Sequence, residues 1–203
     1  MRYIFLILLF FFNFSGLRAQ NSPLVKLDTL KDGFSYDIRY ATSNNFLEEA
    51  FYECATCYLR TEVAQALREA NHYFCEQGYK ILLYDCYRPV SAQKKMWAVY
   101  PNPQYVANPY GSGSIHNRGA AVDLTLVKLD GTPVNMGTDY DFFGKEAHND
   151  NKDLPDEVLK NRKILQTGMR LFGFETIRTE WWHFNYKKNY SYPIIDFDFP
   201  CER

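Results

Sequence analysis

The chain has 203 residues, of which 46% are apolar and 23% charged, with a formal net charge of −1. That length supports one domain with its own core and no need of covalent staples. The near-neutral balance, with no run of Lys or Arg, argues against nucleic acid as a partner.

The chain opens on Arg2 and an unbroken apolar run from Ile4 to Phe12, followed by Leu17-Arg18-Ala19. This is the layout of a signal peptide, and the run is short for a membrane span. Residues 1–19 are therefore expected to be a leader and 20–203 the mature domain, exported to the periplasm or outside, with no stable membrane insertion after cleavage. Losing Arg2 and Arg18 would move the formal charge from −1 to −3.

Asn21-Ser22-Pro23 reads as a linker. Leu27 to Tyr40 suggests two short strands around Lys31-Asp32-Gly33, the second being Tyr36 to Tyr40. Ala41 to Thr56 is irregular and polar. Thr61 to Gln77 is a helix, because Val63, Leu67, Ala70 and Phe74 repeat at helical spacing, and Gly78 is suited to its C-terminus. Tyr79 to Asp85 is a buried strand that ends in Cys86-Tyr87-Arg88-Pro89. Ser91 is expected to cap a short helix through Met96, Trp97 and Val99.

Pro101 to Gly113 is a long loop. It leads into Ser114-Ile115-His116-Asn117-Arg118-Gly119-Ala120-Ala121-Val122-Asp123. Here Gly119 permits a tight approach, and the small Ala120 and Ala121 let another element lie close. Val122, Leu124 and Leu126 share one strand face, and Ala121, Asp123 and Thr125 the other. Asp130-Gly131 signals a hairpin. Asn135 to Asp153 is a polar loop carrying Tyr140-Asp141-Phe142. Asp156 is expected to cap a helix from Glu157 to Phe172 that buries Val158, Ile164, Leu165, Met169 and Phe172. Gly173 to Ile177 is a return strand. Short strands with helices between them and few parallel crossovers predict an α+β domain with a small, mainly antiparallel sheet.

Five cysteines entering an oxidising compartment favour structural disulfides, and an odd count leaves at least one thiol unpaired. Cys54-Ala55-Thr56-Cys57 has C-x-x-C spacing, but no second such pair completes a four-cysteine zinc site. Cys75, on the first long helix, reads as a buried free thiol.

Of four histidines, His72 and His148 read as ordinary surface or core residues. His116 stands out because it precedes a glycine and then Asp123 on a strand. His183 follows Glu180 by three residues, and that odd separation cannot address one point from a flat strand, so a turn is expected there. Two imidazoles and a carboxylate suit zinc, whose catalytic sites keep a fourth position for water. Zinc lowers the pKa of that water, and a nearby Glu can take the proton and pass it to a leaving amine. The Trp181-Trp182 pair is expected to exclude solvent.

The pattern Ser114-x-His116-x-x-Gly119-x-Ala121-x-Asp123, then Glu180-x-Trp182-His183, resembles the D-alanyl-D-alanine peptidase superfamily. Three further stretches narrow the resemblance to the D-alanyl-D-alanine dipeptidases: Tyr36 to Thr42 with Asn45-Phe46, Asp85-Cys86-Tyr87-Arg88-Pro89, and Tyr192-Pro193 with Phe197 to Pro200. The similarity runs from about Tyr36 to Pro200. It implies a zinc cleft with one Zn2+ per chain held by His116, Asp123 and His183, and Glu180 as catalytic base. It implies Arg88 as the group that stabilises the developing oxyanion. It places Tyr40 and Asp141 near the substrate's amino group and Ser114 near its carboxylate. Taken alone, Arg88 also reads as an ion-pair partner of Asp85, and Ser114 and Asp141 as loop caps. The implied substrate is a small D,D-dipeptide; the export signal departs from the resistance enzymes of this family, which act in the cytoplasm, and favours cell-wall fragment turnover or salvage. The other readings are a carboxypeptidase or endopeptidase acting on peptidoglycan stems, and a zinc-bearing binding module without catalysis. Nothing in the sequence specifies an oligomeric state.

Overall fold

The computed structural model describes residues 23–198, 200 and 201. The leader expected over 1–19, Asn21, Ser22 and Phe199 lie outside the described residues. The domain is α+β, as expected. A five-stranded sheet has the order β2-β4-β5-β7-β6, and a separate ribbon pairs β1 with β3. The strands are β1 (Leu24–Lys26), β2 (Ser35–Tyr36), β3 (Tyr58–Arg60), β4 (Tyr79–Asp85), β5 (Ala121–Lys128), β6 (Phe174–Thr176) and β7 (His183–Tyr186). Among the described residues only β2 and β4 run parallel, and the other strand pairings are antiparallel. Among the described residues no helix is long and apolar enough to cross a membrane.

Helix α2 (Thr61–Cys75) buries Val63, Leu67, Ala70 and Phe74, the stripe read from the sequence. Gly78 follows it with φ +85°, a conformation that favours glycine. Helix α4 (Asp156–Leu171) packs on α2 and lies close because Gly168 has no side chain. A Cβ there would sit 2.3 Å from the Phe74 ring. Ile81, Leu83, Leu124 and Leu126 meet the two helices from the sheet, with Leu165 and Met169. Each such large side chain contributes about 1.5–3 kcal/mol by leaving water.

Several boundaries differ from expectation. Helix α1 (Thr29–Asp32) replaces part of the first expected strand, because Asp28 Oδ1 accepts the Leu30 and Lys31 amides. Residues Arg39–Ala41 form a 3-10 turn, so the second strand is only two residues long. Helix α3 (Val90–Val99) begins after Pro89, not Ser91, whose hydroxyl instead meets Asp198 at 3.2 Å. Helix α4 likewise follows Pro155, with no side-chain cap from Asp156. Ile164 and Phe172 are only partly buried. The Asp130-Gly131 turn forms, but its returning arm makes a single bridge, Val127 to Pro133.

Two disulfides join Cys54 to Cys201 and Cys57 to Cys86, and Cys75 is free. Cys75 is half-buried rather than buried, because it ends α2 where the helix leaves the core.

Candidate active site

The site grows from one row of residues across the sheet. In the ladders, Asp123 of β5 stands opposite His183 of β7 on one side and Asp85 of β4 on the other. A register shift between Leu83 and Asp85 produces the second pairing. In an unbroken strand Asp85 would share the face of Leu83; one extra residue exchanges the faces. His116 joins the row from a 3-10 turn, His116–Arg118, that ends at Gly119 with φ +65°. A Cβ on Gly119 would lie 2.5 Å from Leu24 and 3.4 Å from the Arg60 amide nitrogen, so the turn docks on the β1–β3 ribbon only with glycine.

His116 Nε2, His183 Nδ1 and Asp123 Oδ1 form a triangle with edges of 2.9 Å (His183–Asp123), 3.2 Å (His116–His183) and 3.3 Å (His116–Asp123). A tetrahedral zinc with bonds of ~2.0–2.1 Å places its donors ~3.3 Å apart, so this donor set fits that ion. The outer atoms of all three groups have partners. His116 Nδ1 donates to the Cys86 carbonyl at 2.7 Å, His183 Nε2 to Asn185 Oδ1 at 2.9 Å, and the Tyr140 hydroxyl to Asp123 Oδ2 at 3.0 Å. These contacts leave the inner nitrogens free to act as donors toward a metal. Burial opposes the charge of Asp123, but the two imidazoles hold its carboxyl well below the usual range.

Glu180 reaches the triangle from the loop between β6 and β7, and its Oε2 lies 3.9 Å from His183 Nδ1. The expected break in strand geometry is present, since β7 begins at His183. Asn149 holds this loop by donating to the Ile177 and Glu180 carbonyls at 2.7 and 2.9 Å. Burial pushes the Glu180 carboxyl up to about 8, against the pull of His183.

Arg88 is buried on the other side. Its Nε and Nη2 donate to Asp85 Oδ2 at 3.0 and 2.7 Å, and its Nη1 to Gln93 Oε1 at 2.9 Å. The ion pair with Asp85 therefore forms, and Arg88 also lines the cleft. Three of its five N–H groups are used, leaving one on each terminal nitrogen. Tyr52 completes the support with a 2.7 Å hydrogen bond to Asp85 Oδ1.

Tyr40 and Asp141 meet across the cleft, with the Tyr40 hydroxyl 3.1 and 3.3 Å from the two carboxylate oxygens. Asp141 has φ +58°, a left-handed conformation uncommon outside glycine. Burial and the charge of Asp123 raise its carboxyl well above the usual range. Ser114 Oγ accepts the His116 amide at 3.2 Å, so it caps the turn; it also lines the cleft.

All eight singled-out residues thus line one cavity of about 260 Å³. Phe143 walls it, stacked on Tyr105 at 4.5 Å and on Tyr100 at 5.4 Å. Only Trp182 of the tryptophan pair reaches the cleft. Trp181 turns to the opposite side and donates to Thr138 Oγ1 at 2.8 Å. His72 and His148 lie elsewhere, beside Glu76 and Arg178. Sequence reasoning missed Tyr140, Asn149, Asn185, Gln93 and the Cys86 carbonyl. Tyr140 stands next to Asp141, and Asn185 two residues after His183, where the alternation of a strand returns to the same face. The other three left no signal.

An α+β domain whose cleft gathers two imidazoles and a carboxylate, with a second carboxyl group beside them, is of the metallohydrolase class. A family model described as D-ala-D-ala dipeptidase matches residues 20–201. The D-alanyl-D-alanine dipeptidase of Escherichia coli is 33% identical over 183 residues, covering 90% of this chain and 94% of its own. That of Enterococcus faecalis is 34% identical over 194 residues, covering 86% and 92%. Among solved structures, a vancomycin-resistance D,D-pentapeptidase, VanY, superposes with a TM-score of 0.41 at 15% identity, covering 64% of this chain and 74% of its own. The chain belongs to the D-Ala-D-Ala dipeptidase family and is a zinc metallopeptidase.

Proposed function

We propose that this protein hydrolyses D-alanyl-D-alanine to two D-alanines, using one zinc ion per chain held by His116, Asp123 and His183. The observation that carries this reading is the 2.9–3.3 Å triangle of donor atoms with Glu180 beside it. Zinc bound there supplies Lewis acidity, polarising a carbonyl and acidifying a water molecule.

Glu180 takes the proton of the attacking water and delivers it to the departing amine, so that one water is consumed and two amino acids leave. Burial, which raises the Glu180 carboxyl, suits the second step, in which it gives up a proton. Arg88, fixed by Asp85 and Gln93, directs its remaining N–H groups at the oxyanion as it forms. Asp141, held by Tyr40, pairs with the substrate's ammonium, and the Ser114 hydroxyl donates to its carboxylate.

Residues 1–19 serve as a cleaved leader, and 20–203 form the catalytic domain, acting in the periplasm or outside on cell-wall fragments. The apolar run at Ile4 to Phe12 and the two disulfides support that location.

The test compares kcat/KM for D-Ala-D-Ala and its N-acetyl form, on the wild type and on Asp141→Ala, with zinc content measured for Glu180→Ala. The wild type should reject the acetylated substrate, because a blocked amine leaves Asp141 unpaired. Glu180→Ala should keep zinc and lose most activity. Equal rates on both substrates would make the protein a carboxypeptidase, and zinc loss in Glu180→Ala would exchange base and ligand.

A further inference from the structure

The Cys57–Cys86 disulfide lies directly behind the donor triangle. Both residues are fully buried. The carbonyl of Cys86 is the acceptor for His116 Nδ1, at 2.7 Å. That bond decides which ring nitrogen carries the proton and how the ring is turned. The position of one peptide unit, residue 86, is therefore critical to the His116 donor.

This peptide unit sits between two other pieces of chain. On one side, the Tyr87 amide donates to the Tyr58 carbonyl at 2.9 Å, next to Cys57. On the other, the Arg88 amide donates to the His116 carbonyl at 3.2 Å, and Asn117 Nδ2 donates to the Arg88 carbonyl at 2.8 Å. The segment has just left β4 through a register shift, so regular ladder bonds no longer fix it. The disulfide is the covalent member of the set that does. It anchors the segment to Cys57, which itself accepts the Leu27 amide at 2.9 Å.

We propose that the Cys57–Cys86 disulfide is a positioning element for zinc ligation, acting through the Cys86 carbonyl on His116. The proposal rests on the reading of His116 as a ligand. The Cys54–Cys201 disulfide provides the contrast. It pins the C-terminal tail, whose backbone meets Asn117 and Tyr87, but it touches no donor side chain.

Zinc affinity by chelator competition, and Tm of the metal-free proteins, should be measured for wild type, C57A/C86A and C54A/C201A. C57A/C86A is expected to bind zinc ten- to a hundred-fold more weakly, the usual cost of losing a group that orients a ligand. C54A/C201A should lower Tm and leave affinity within about twofold. Unchanged affinity in C57A/C86A, with only a lower Tm, would overturn the proposal. Should that variant not fold, wild type can be equilibrated in glutathione buffers with and without zinc and mapped by alkylation. Two glutathiones supply the two electrons and two protons that turn each disulfide into two thiols. Linkage requires zinc to protect Cys57–Cys86 by the same factor that the disulfide strengthens zinc, and to leave Cys54–Cys201 unmoved. A Cys57–Cys86 midpoint indifferent to zinc would refute the coupling. A wild type that binds no zinc, or cleaves no dipeptide, would refute the reading of the site instead.

Discussion

Tyr140 donates its hydroxyl to Asp123 Oδ2 at 3.0 Å, and only Oδ1 of that carboxylate faces the two imidazoles. The phenol thereby sets Asp123 as a one-oxygen donor. Tyr140→Phe should retain the fold, because the ring still packs on Tyr84 and Trp182 at 4.7 and 5.4 Å. Zinc affinity should fall about tenfold, as for other lost partners of metal ligands. Chelator competition measures this, and an unchanged affinity would remove Tyr140 from the site's design.

Asn149 is the corresponding support for Glu180. Its amide bridges the Ile177 and Glu180 carbonyls, and Gln166 of α4 donates to its oxygen at 2.8 Å. Asn149→Ala should free the loop and lower kcat about ten- to a hundred-fold, the cost of displacing a catalytic group by an ångström or so. Zinc content should not change, since Glu180 is not among the three proposed donors. Loss of metal in this variant would show that the loop, not Glu180 alone, was being held.

Away from the cleft, Arg68 forms a two-pronged pair with Asp32, at 2.8 and 3.1 Å, joining α2 to α1. Burial opposes ionisation of Asp32, but the Arg68 hydrogen bonds and charge outweigh it and hold the carboxyl below its ordinary value. A lowered folded-state pKa contributes stability above the unfolded value, near 4, that is lost as pH falls through the folded one. Asp32→Asn should therefore cost up to about 1 kcal/mol at pH 7. The cost should shrink in strong acid. Urea melts at the two pH values test it, and an equal cost at both would assign the effect to shape rather than charge.

Alkylation of the oxidised protein without reduction should label one cysteine, Cys75, and all five after reduction and unfolding. Burial raises the Cys75 thiol above its ordinary pKa, with Lys80 opposing, so labelling at pH 7 should be slower than for a free thiol and quicken as pH rises. Peptide mapping reads the sites directly; a second labelled position would break one of the two assigned pairs.

Much of this was legible in the sequence, and the exceptions have physical causes. The buried face of α2 followed from periodicity, and β4 has the bounds of the stretch read as a buried strand. The grouping of His116, Asp123, His183 and Glu180 in one cleft was readable because their spacing to Gly119 and Trp182 is a pattern of residue types. Helix starts at Pro89 and Pro155 were misplaced because a proline that fixes φ can begin a helix without a side-chain cap. The register shift before Asp85 was invisible, since nothing in Leu83-Tyr84-Asp85 marks it. Cys86 was visible only as a sulfur, whereas its contact with His116 is made by a backbone oxygen, which no residue type encodes.

The two disulfides are nested: Cys54–Cys201 encloses Cys57–Cys86, and Cys75 lies within both spans. A chain oxidised in its order of appearance would meet other partners first. Cys54 and Cys57 come within reach of each other earliest, then Cys75 and Cys86, while Cys201 arrives last. Pairing by proximity in time would trap both inner neighbours wrongly, and release then requires attack of a thiolate on an existing disulfide. Under such sequential pairing, the native pattern would be reached only by shuffling as well as oxidation. Replacing Cys75, the partner with no place in the final pattern, removes one of the wrong turns.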